Sequence, residues 1–236
     1  VGEKYSGWEA TQMIRVHVIC EGQTEEMFIN EVLAGLFVPL GIYLYPSLIG
    51  KPGHKGGNFK FQRVLMDVKT RLLDDENAYC TTFFDFYGLP EDFPGKKEAL
   101  DLNDIKARQE MVTGRLVEQL SKYIDEQAMR RFIPYIQLYE FEGLLFSNPQ
   151  SMASEIGQPG LVIDFIKIRN EFETPEHINN SIATAPSKRI KRLFNQYDKV
   201  IHGSLITLEV GIDKICKECN LFDAWVNQLK SIEALS

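Results

Sequence analysis

MIRVHVICEGQTEEMF, residues Met13–Phe28, is the stretch that decides the fold. Its first half, Met13–Cys20, is a short β-branched apolar run and predicts a buried strand. Glu21-Gly22-Gln23 reads as a tight turn. Thr24 has the chemistry of a helix N-cap, and Glu25 and Glu26 fall in the first turn, where the helix dipole favours acids. Phe28, Val32 and Leu36 recur at i, i+4 and i+8, so the helix is predicted to run to about Val38 and to stop at Gly41.

The same alternation continues downstream. Ile42–Gly50 predicts a second strand, nearer an edge because of Pro46. Gly50–Gly57 is a Gly-rich basic loop that carries Lys51, His54 and Lys55, with Lys60 beside it. From Phe59 to about Leu73, Phe61, Val64, Leu65 and Val68 share a helical face. Tyr79–Asp85 is a third apolar strand, and Tyr87–Pro94 a turn-rich loop. A long polar helix is predicted within Leu102–Arg130, then a strand at Arg131–Leu138, then YEFEGLLFS. Alternating strands and helices predict an α/β domain with a mainly parallel sheet over residues 13–147. From residue 148 to 236 only helical patterns and turns appear, which predicts a helical C-terminal section packed on the sheet. VGEKYSGWEATQ, residues 1–12, lacks any period and reads as an upstream extension, with Met13 as the natural start.

The chain has 236 residues, 44% hydrophobic and 25% charged, an ordinary globular composition. A formal charge of -7 excludes a generally basic nucleic-acid coat but leaves room for a local basic groove. No apolar run reaches the ~18–20 residues that span a bilayer, so no membrane is expected. Four cysteines do not make a disulfide scaffold, and a cytoplasmic protein with reduced thiols is expected. Cys216 and Cys219 form a CxxC, but without a second pair or a His pair it signals neither zinc nor a redox motif.

In an open parallel sheet, ligands bind beyond the carboxyl ends of the strands. Glu21 follows the first strand and Asp85 closes the third. On neighbouring strands, about 4.8 Å apart, their carboxylates can converge on one cation. Glu25 returns to the same spot from the first helical turn. Glu140 and Glu142 share one side if the chain stays extended there. Clustered carboxylates without His suit Mg²⁺ or Mn²⁺, and the matching chemistry is phosphodiester cleavage or phosphoryl transfer. Each acid also has a plainer role open to it: Glu25 as a helix N-terminal acid, Asp85 as a turn cap, Glu21 as a loop acid, Glu140 and Glu142 as a solvated strand edge. Two basic segments complement the acids. Lys51, Lys55 and Lys60 surround glycines that let backbone N–H groups approach a phosphate. Ser187 is the expected N-cap of a helix whose start holds Lys188, Arg189, Lys191 and Arg192; the dipole disfavours cations there, so a bound nucleic-acid phosphate would explain them. A solvated basic face is the alternative.

VICEGQTEEMF resembles the first motif of Toprim domains, and FFDFYG sits where the second acidic motif belongs. With YEFEGLLF, APSKRIKRLF and GIDKICKECNLFDAWVNQL, the chain is similar from Met13 to near its C-terminus to a bacterial family labelled domain of unknown function 4276. The resemblance implies a Toprim-like fold and maps the motif acids on Glu21, Glu25 and Asp85. It also implies an ABC-type ATPase partner, rather like the nuclease half of overcoming-lysogenization-defect systems in anti-phage defence. Tyr87 stands where the motif has its next acid; Glu140 or Glu142 can fill that vacancy. Two functions follow as expectations: a metal-dependent nuclease acting on nucleic acid, or a non-catalytic binding subunit that regulates the ATPase.

Overall fold

The structure is a computed structural model that describes residues 13–50, 60–179 and 181–234. Its centre is a parallel sheet of β1 (Ile14–Cys20), β2 (Ile42–Leu48), β3 (Ala78–Asp85), β4 (Phe132–Ile133) and β5 (Ile136–Gln137). The order is β2-β1-β3-β4, and β5 pairs with the far end of β3. Around the sheet lie α1 (Gln23–Phe28), α2 (Ala34–Phe37), α3 (Phe61–Asp74), α4 (Lys96–Leu100), α5 (Ile105–Leu120) and α6 (Glu126–Met129). The C-terminal part adds α7 (Pro149–Glu155), α8 (Val162–Asn170), α9 (Pro186–Leu193), α10 (Lys199–Val210), α11 (Ile212–Glu218) and α12 (Asn220–Lys230). The expected α/β class, a mainly parallel sheet flanked by helices, is the fold observed. No described helix is long and apolar enough to cross a membrane.

Side chains alternate across the pleat, so each strand feeds two cores. Val16, Val18 and Cys20 of β1 join Phe83 of β3 on one face. There they meet Phe28, Phe141, Phe222 and Trp225 from the helices, with Trp225 stacked on Tyr135 at 4.5 Å. Ile19, Cys80 and Phe84 point the other way, into a core with Val64 and Val68 of α3 and Val112 and Leu116 of α5. Both faces being covered explains why these strands are nearly continuous in apolar residues.

Three local expectations are corrected. The helix after β1 is capped by the backbone of Gly22, and Thr24 lies inside it, buried, instead of serving as N-cap. That helix is almost continuous to Leu40 but passes through a π-helical turn at Ile29–Leu33. The strand predicted over Arg131–Leu138 is two short strands, because Pro134 has no N–H to give the ladder. Thr82 patches the gap: its hydroxyl accepts from the Tyr135 N–H at 3.0 Å and donates to the Tyr135 carbonyl at 2.9 Å. Ser187 is not the N-cap of its helix; Ala185 is, with Pro186 in the first turn, where its missing N–H costs nothing.

Candidate functional site

β1 and β3 are parallel neighbours in the register Cys20↔Phe83, so the residues after them leave the sheet at the same edge. The Asp85 N–H donates to Glu21 Oε2 at 3.0 Å, and the Glu21 N–H donates to the Phe83 carbonyl at 3.2 Å. The chain then turns at once, the Gly88 N–H returning to the Asp85 carbonyl at 3.0 Å. Gly88 is needed there: a Cβ on it would lie 2.1 Å from Glu21 Oε1, so the Glu21 carboxylate fills the space of the missing side chain. Glu25, one helical turn on, is 3% exposed. Asp85 is held by a second backbone donor, its Oδ1 accepting from the Phe141 N–H at 2.8 Å.

The acids from three separate regions meet at Lys199. Its Nζ lies 3.0 Å from Asp85 Oδ2, 3.4 Å from Glu142 Oε2 and 3.6 Å from Glu25 Oε1. Lys199 is the first residue of α10, which Asp198 caps by accepting the Ile201 N–H at 2.8 Å. Gly203 lets α10 approach closely: a Cβ there would stand 3.3 Å from Phe141 and 3.4 Å from Thr24. The sequence reading missed Lys199. A signal was present, a lysine in the first turn of a mostly apolar helix, KVIHGSLITLEV, where the dipole disfavours it.

Burial raises the Asp85 carboxyl well above the carboxylate range; Lys199 opposes the shift, and Glu25, Glu21 and Glu142 add to it. Burial, then the charge of Glu25, pushes Glu21 up to about 7. Burial likewise pushes Glu142 up to about 7. Burial works against the Lys199 ammonium, but Asp85, Glu142 and Glu25 outweigh it and hold it well above the usual lysine range. Glu142 is fully buried, and neither of its oxygens accepts a hydrogen bond among the described residues; the Tyr197 hydroxyl is also buried and unpartnered.

Glu140 does not join this cluster. Tyr139 adopts φ +65, so the chain leaves its extended path and Phe141–Ser147 winds into a 3-10 helix. Glu140 and Glu142 therefore diverge, and Glu140 Oε2 accepts the Ser187 N–H at 2.9 Å, at the start of α9. That bond sets α9 beside the site, because Phe141, next in the chain, is the residue that holds Asp85. On α9, Lys188, Lys191 and Arg192 are exposed. Arg189 is half-buried: it donates to the Thr184 carbonyl at 2.8 Å, pairs with Glu171 at 3.2 Å and lies 5.0 Å over the Phe172 ring. Lys60 is exposed at the N-cap of α3. Lys51 and Lys55, like His54, lie outside the described residues.

The Mg²⁺ or Mn²⁺ that the resemblance implies can be tested against the donor set. Among the described residues no three His, Cys, Asp or Glu side chains stand ready around one ion; the Lys199 ammonium sits among them instead. The donors themselves fit a hard divalent cation: carboxylates only, from Glu21, Glu25, Asp85 and Glu142, with both Glu142 oxygens free of hydrogen bonds.

Residues 20–230 match the family described as a domain of unknown function (DUF4276), and the chain belongs to it. No curated protein matches the chain. A solved structure, the C-terminal region of the OLD protein of Xanthomonas campestris pv. campestris, is similar at 14% identity and a TM-score of 0.43. The match covers 93% of this chain and 95% of that one.

Proposed function

We propose that this DUF4276 member is a metal-dependent nuclease that hydrolyses phosphodiester bonds in nucleic acid, with Mg²⁺ or Mn²⁺ held by Glu21, Glu25, Asp85 and Glu142. One observation carries the reading: carboxylates from α1, β3 and the 3-10 helix at Phe141–Ser147 converge within 3.0–3.6 Å of one ammonium. Stability does not ask for this. Burying several acids around one lysine costs more in desolvation than a packed apolar cluster would. Such clusters belong to sites where charge is handled.

A divalent cation bound by these oxygens supplies positive charge to a phosphate and acidifies water beside it. The chain's own residues do the rest. Lys199, whose ammonium the free acids favour, can pair with a non-bridging phosphate oxygen once the acids are otherwise engaged. Glu142 supplies, as a ligand, the acid that Tyr87 replaces. Lys188, Lys191 and Arg192 on α9, and Lys51, Lys55 and Lys60 at the Gly-rich segment, would hold the backbone of the substrate. The motif resemblance supports an ABC-type ATPase partner and a cytoplasmic role in anti-phage defence.

A second reading, a non-catalytic subunit that regulates such an ATPase, is favoured by Lys199 itself, which already neutralises part of the acid charge. Incubation of the purified chain with labelled oligonucleotides and Mn²⁺ separates the two. Cleavage that EDTA stops, and that Asp85→Asn lowers by at least about 100-fold, a figure typical for loss of one transition-state contact, is the expected result. No cleavage with either metal, alone or with the ATPase, would leave the binding subunit.

A further inference from the structure

Tyr87 stands two residues beyond Asp85 and next to Gly88, the residue against which the Glu21 carboxylate packs. Its backbone therefore adjoins the carboxylate site. Its ring belongs to a small aromatic group. Tyr87 and Tyr139 have ring centroids 5.4 Å apart, Phe86 and Tyr87 6.3 Å, and Phe86 meets Tyr139 edge-on at 6.4 Å. Phe86 and Tyr139 are buried, and Arg108 covers both, 5.9 Å and 5.5 Å from their centroids. Lys96 lies 5.7 Å from the Phe86 centroid. Tyr87 is the member that stays partly open to solvent.

The ring is also held still. Its backbone N–H donates to the Tyr139 carbonyl at 3.1 Å, and Arg108 pins the Tyr139 hydroxyl at 2.7 Å. The Tyr87 hydroxyl donates to Asn179 Oδ1, on the segment that leads towards α9. Tyr139 keeps φ +65, a conformation disfavoured for a side chain of its size, which the surrounding packing must sustain. An aromatic face fixed in advance loses little entropy when a flat partner settles on it.

We propose that Tyr87 is a stacking platform for an unpaired nucleobase, so that the site takes single-stranded nucleic acid; this rests on the reading of the site as one that binds nucleic acid. Every base has a π-face, so stacking tolerates sequence. In a duplex those faces are already covered, and exposing one costs a few kcal/mol of unstacking. A platform beside the acids therefore favours strands whose bases are free. α9 starts beside Glu140, which accepts its Ser187 N–H, and its exposed Lys188, Lys191 and Arg192 can meet the strand's backbone.

The test is fluorescence of a short single-stranded oligonucleotide carrying 2-aminopurine, with a duplex of the same sequence beside it. Ca²⁺ replaces Mg²⁺, since it takes the same oxygen ligands. Wild type should quench the probe and bind single strands in preference to the duplex. Tyr87→Leu should abolish the quench and weaken single-strand binding by roughly 5- to 150-fold, the cost of one lost stack. Duplex binding should change little. Tyr87→Phe, which keeps the ring and gives up only the Asn179 bond, should still quench. A wild-type protein that binds single strands without quenching, or a Tyr87→Leu protein that binds them as tightly as wild type, overturns the platform. Mg²⁺-dependent cleavage in that case leaves the nuclease reading standing. Quenching without any cleavage does the reverse, and failure to bind any oligonucleotide sinks both.

Discussion

Two glutamates of this molecule, Glu142 and Glu176, are buried almost to the same degree, 0% and 1% exposed, and burial pushes each carboxyl up to about 7. Their surroundings differ completely. Glu176, in the short turn Pro175–His177, accepts the Leu221 N–H at 3.0 Å and the Phe222 N–H at 2.9 Å. It caps α12, whose own N-cap residue, Cys219, offers no side-chain bond. Glu142 accepts no hydrogen bond among the described residues and lies 3.4 Å from the shared ammonium of Lys199. Depth and a raised pKa therefore do not distinguish a structural acid from a functional one. Satisfaction does: Glu176 completes a helix end, and Glu142 has lone pairs left for something else.

The largest expected effect breaks the comparison at Lys199. Lys199→Met leaves Glu25, Asp85 and Glu142 without their counter-charge, and stranding buried acids in this way costs about 3–5 kcal/mol. Thermal unfolding in EDTA should show that loss. Mn²⁺ should then recover much of it, because a cation that binds the folded state stabilises it by mass action. Equal melting temperatures with and without Mn²⁺ would mean that the cluster has no use for a cation.

Glu176→Ala is next in size. It leaves the Leu221 and Phe222 N–H groups unmet inside the protein, at about 3 kcal/mol for two buried donors. For a chain of this length that lowers the melting temperature by about 6–12 °C. Mn²⁺ should raise this variant and wild type alike and leave the gap between them unchanged. A gap that metal closes would erase the distinction between the two glutamates.

A smaller effect appears with pH. The Glu142 carboxyl goes from an ordinary 4.5 to about 7 on folding, so the folded chain holds that proton more tightly than the unfolded chain. The resulting stabilisation is complete below about 4.5 and is lost as pH rises to about 7, a span that amounts to about 3 kcal/mol at most. Glu142→Gln removes it. In EDTA, the stability of the variant relative to wild type should therefore rise steadily between those two pH values. A flat difference would show that Glu142 is ionised throughout.

How far the sequence carried is clear from these same residues. The Glu21–Glu25–Asp85 grouping was legible because it depends on local pattern: apolar strands end, acids follow, and parallel neighbours bring strand ends together. Lys199 was not legible, since it is 114 residues from Asp85 in the chain and only packing of α10 on α1 delivers it. Glu140 was misplaced for a local reason that sequence hides. The positive φ at Tyr139 ends the extended path, and no glycine marks the spot. Pro134 marks the strand break in the sequence, inside an apolar run that otherwise has the pattern of one strand. The DUF4276 match begins at Cys20, the last residue of β1, and runs through the other strands and the helical section, but it names no activity.

The least of the expected effects applies the same test to positive charge. Arg189 resembles Glu176: Thr184, Glu171 and Phe172 engage it. Lys188, Lys191 and Arg192 resemble Glu142 in being uncommitted, since they are exposed and form no ion pair among the described residues. If these three hold phosphates, each contact releases condensed counterions, and affinity for nucleic acid falls steeply with salt. Replacing Lys191 and Arg192 by Gln should weaken binding similarly for all sequences and flatten the slope of log affinity against log salt by about 1 to 2. The melting temperature should barely move, because exposed charges contribute little to stability. Arg189→Gln should do the opposite, lowering the melting temperature while leaving the salt slope near that of wild type. A filter-binding series at several salt concentrations, run beside thermal melts, reads both. If Arg189→Gln flattens the slope and the double variant does not, the charge that contacts phosphate is the paired one, and satisfaction by neighbours loses its value as a guide to function on this helix.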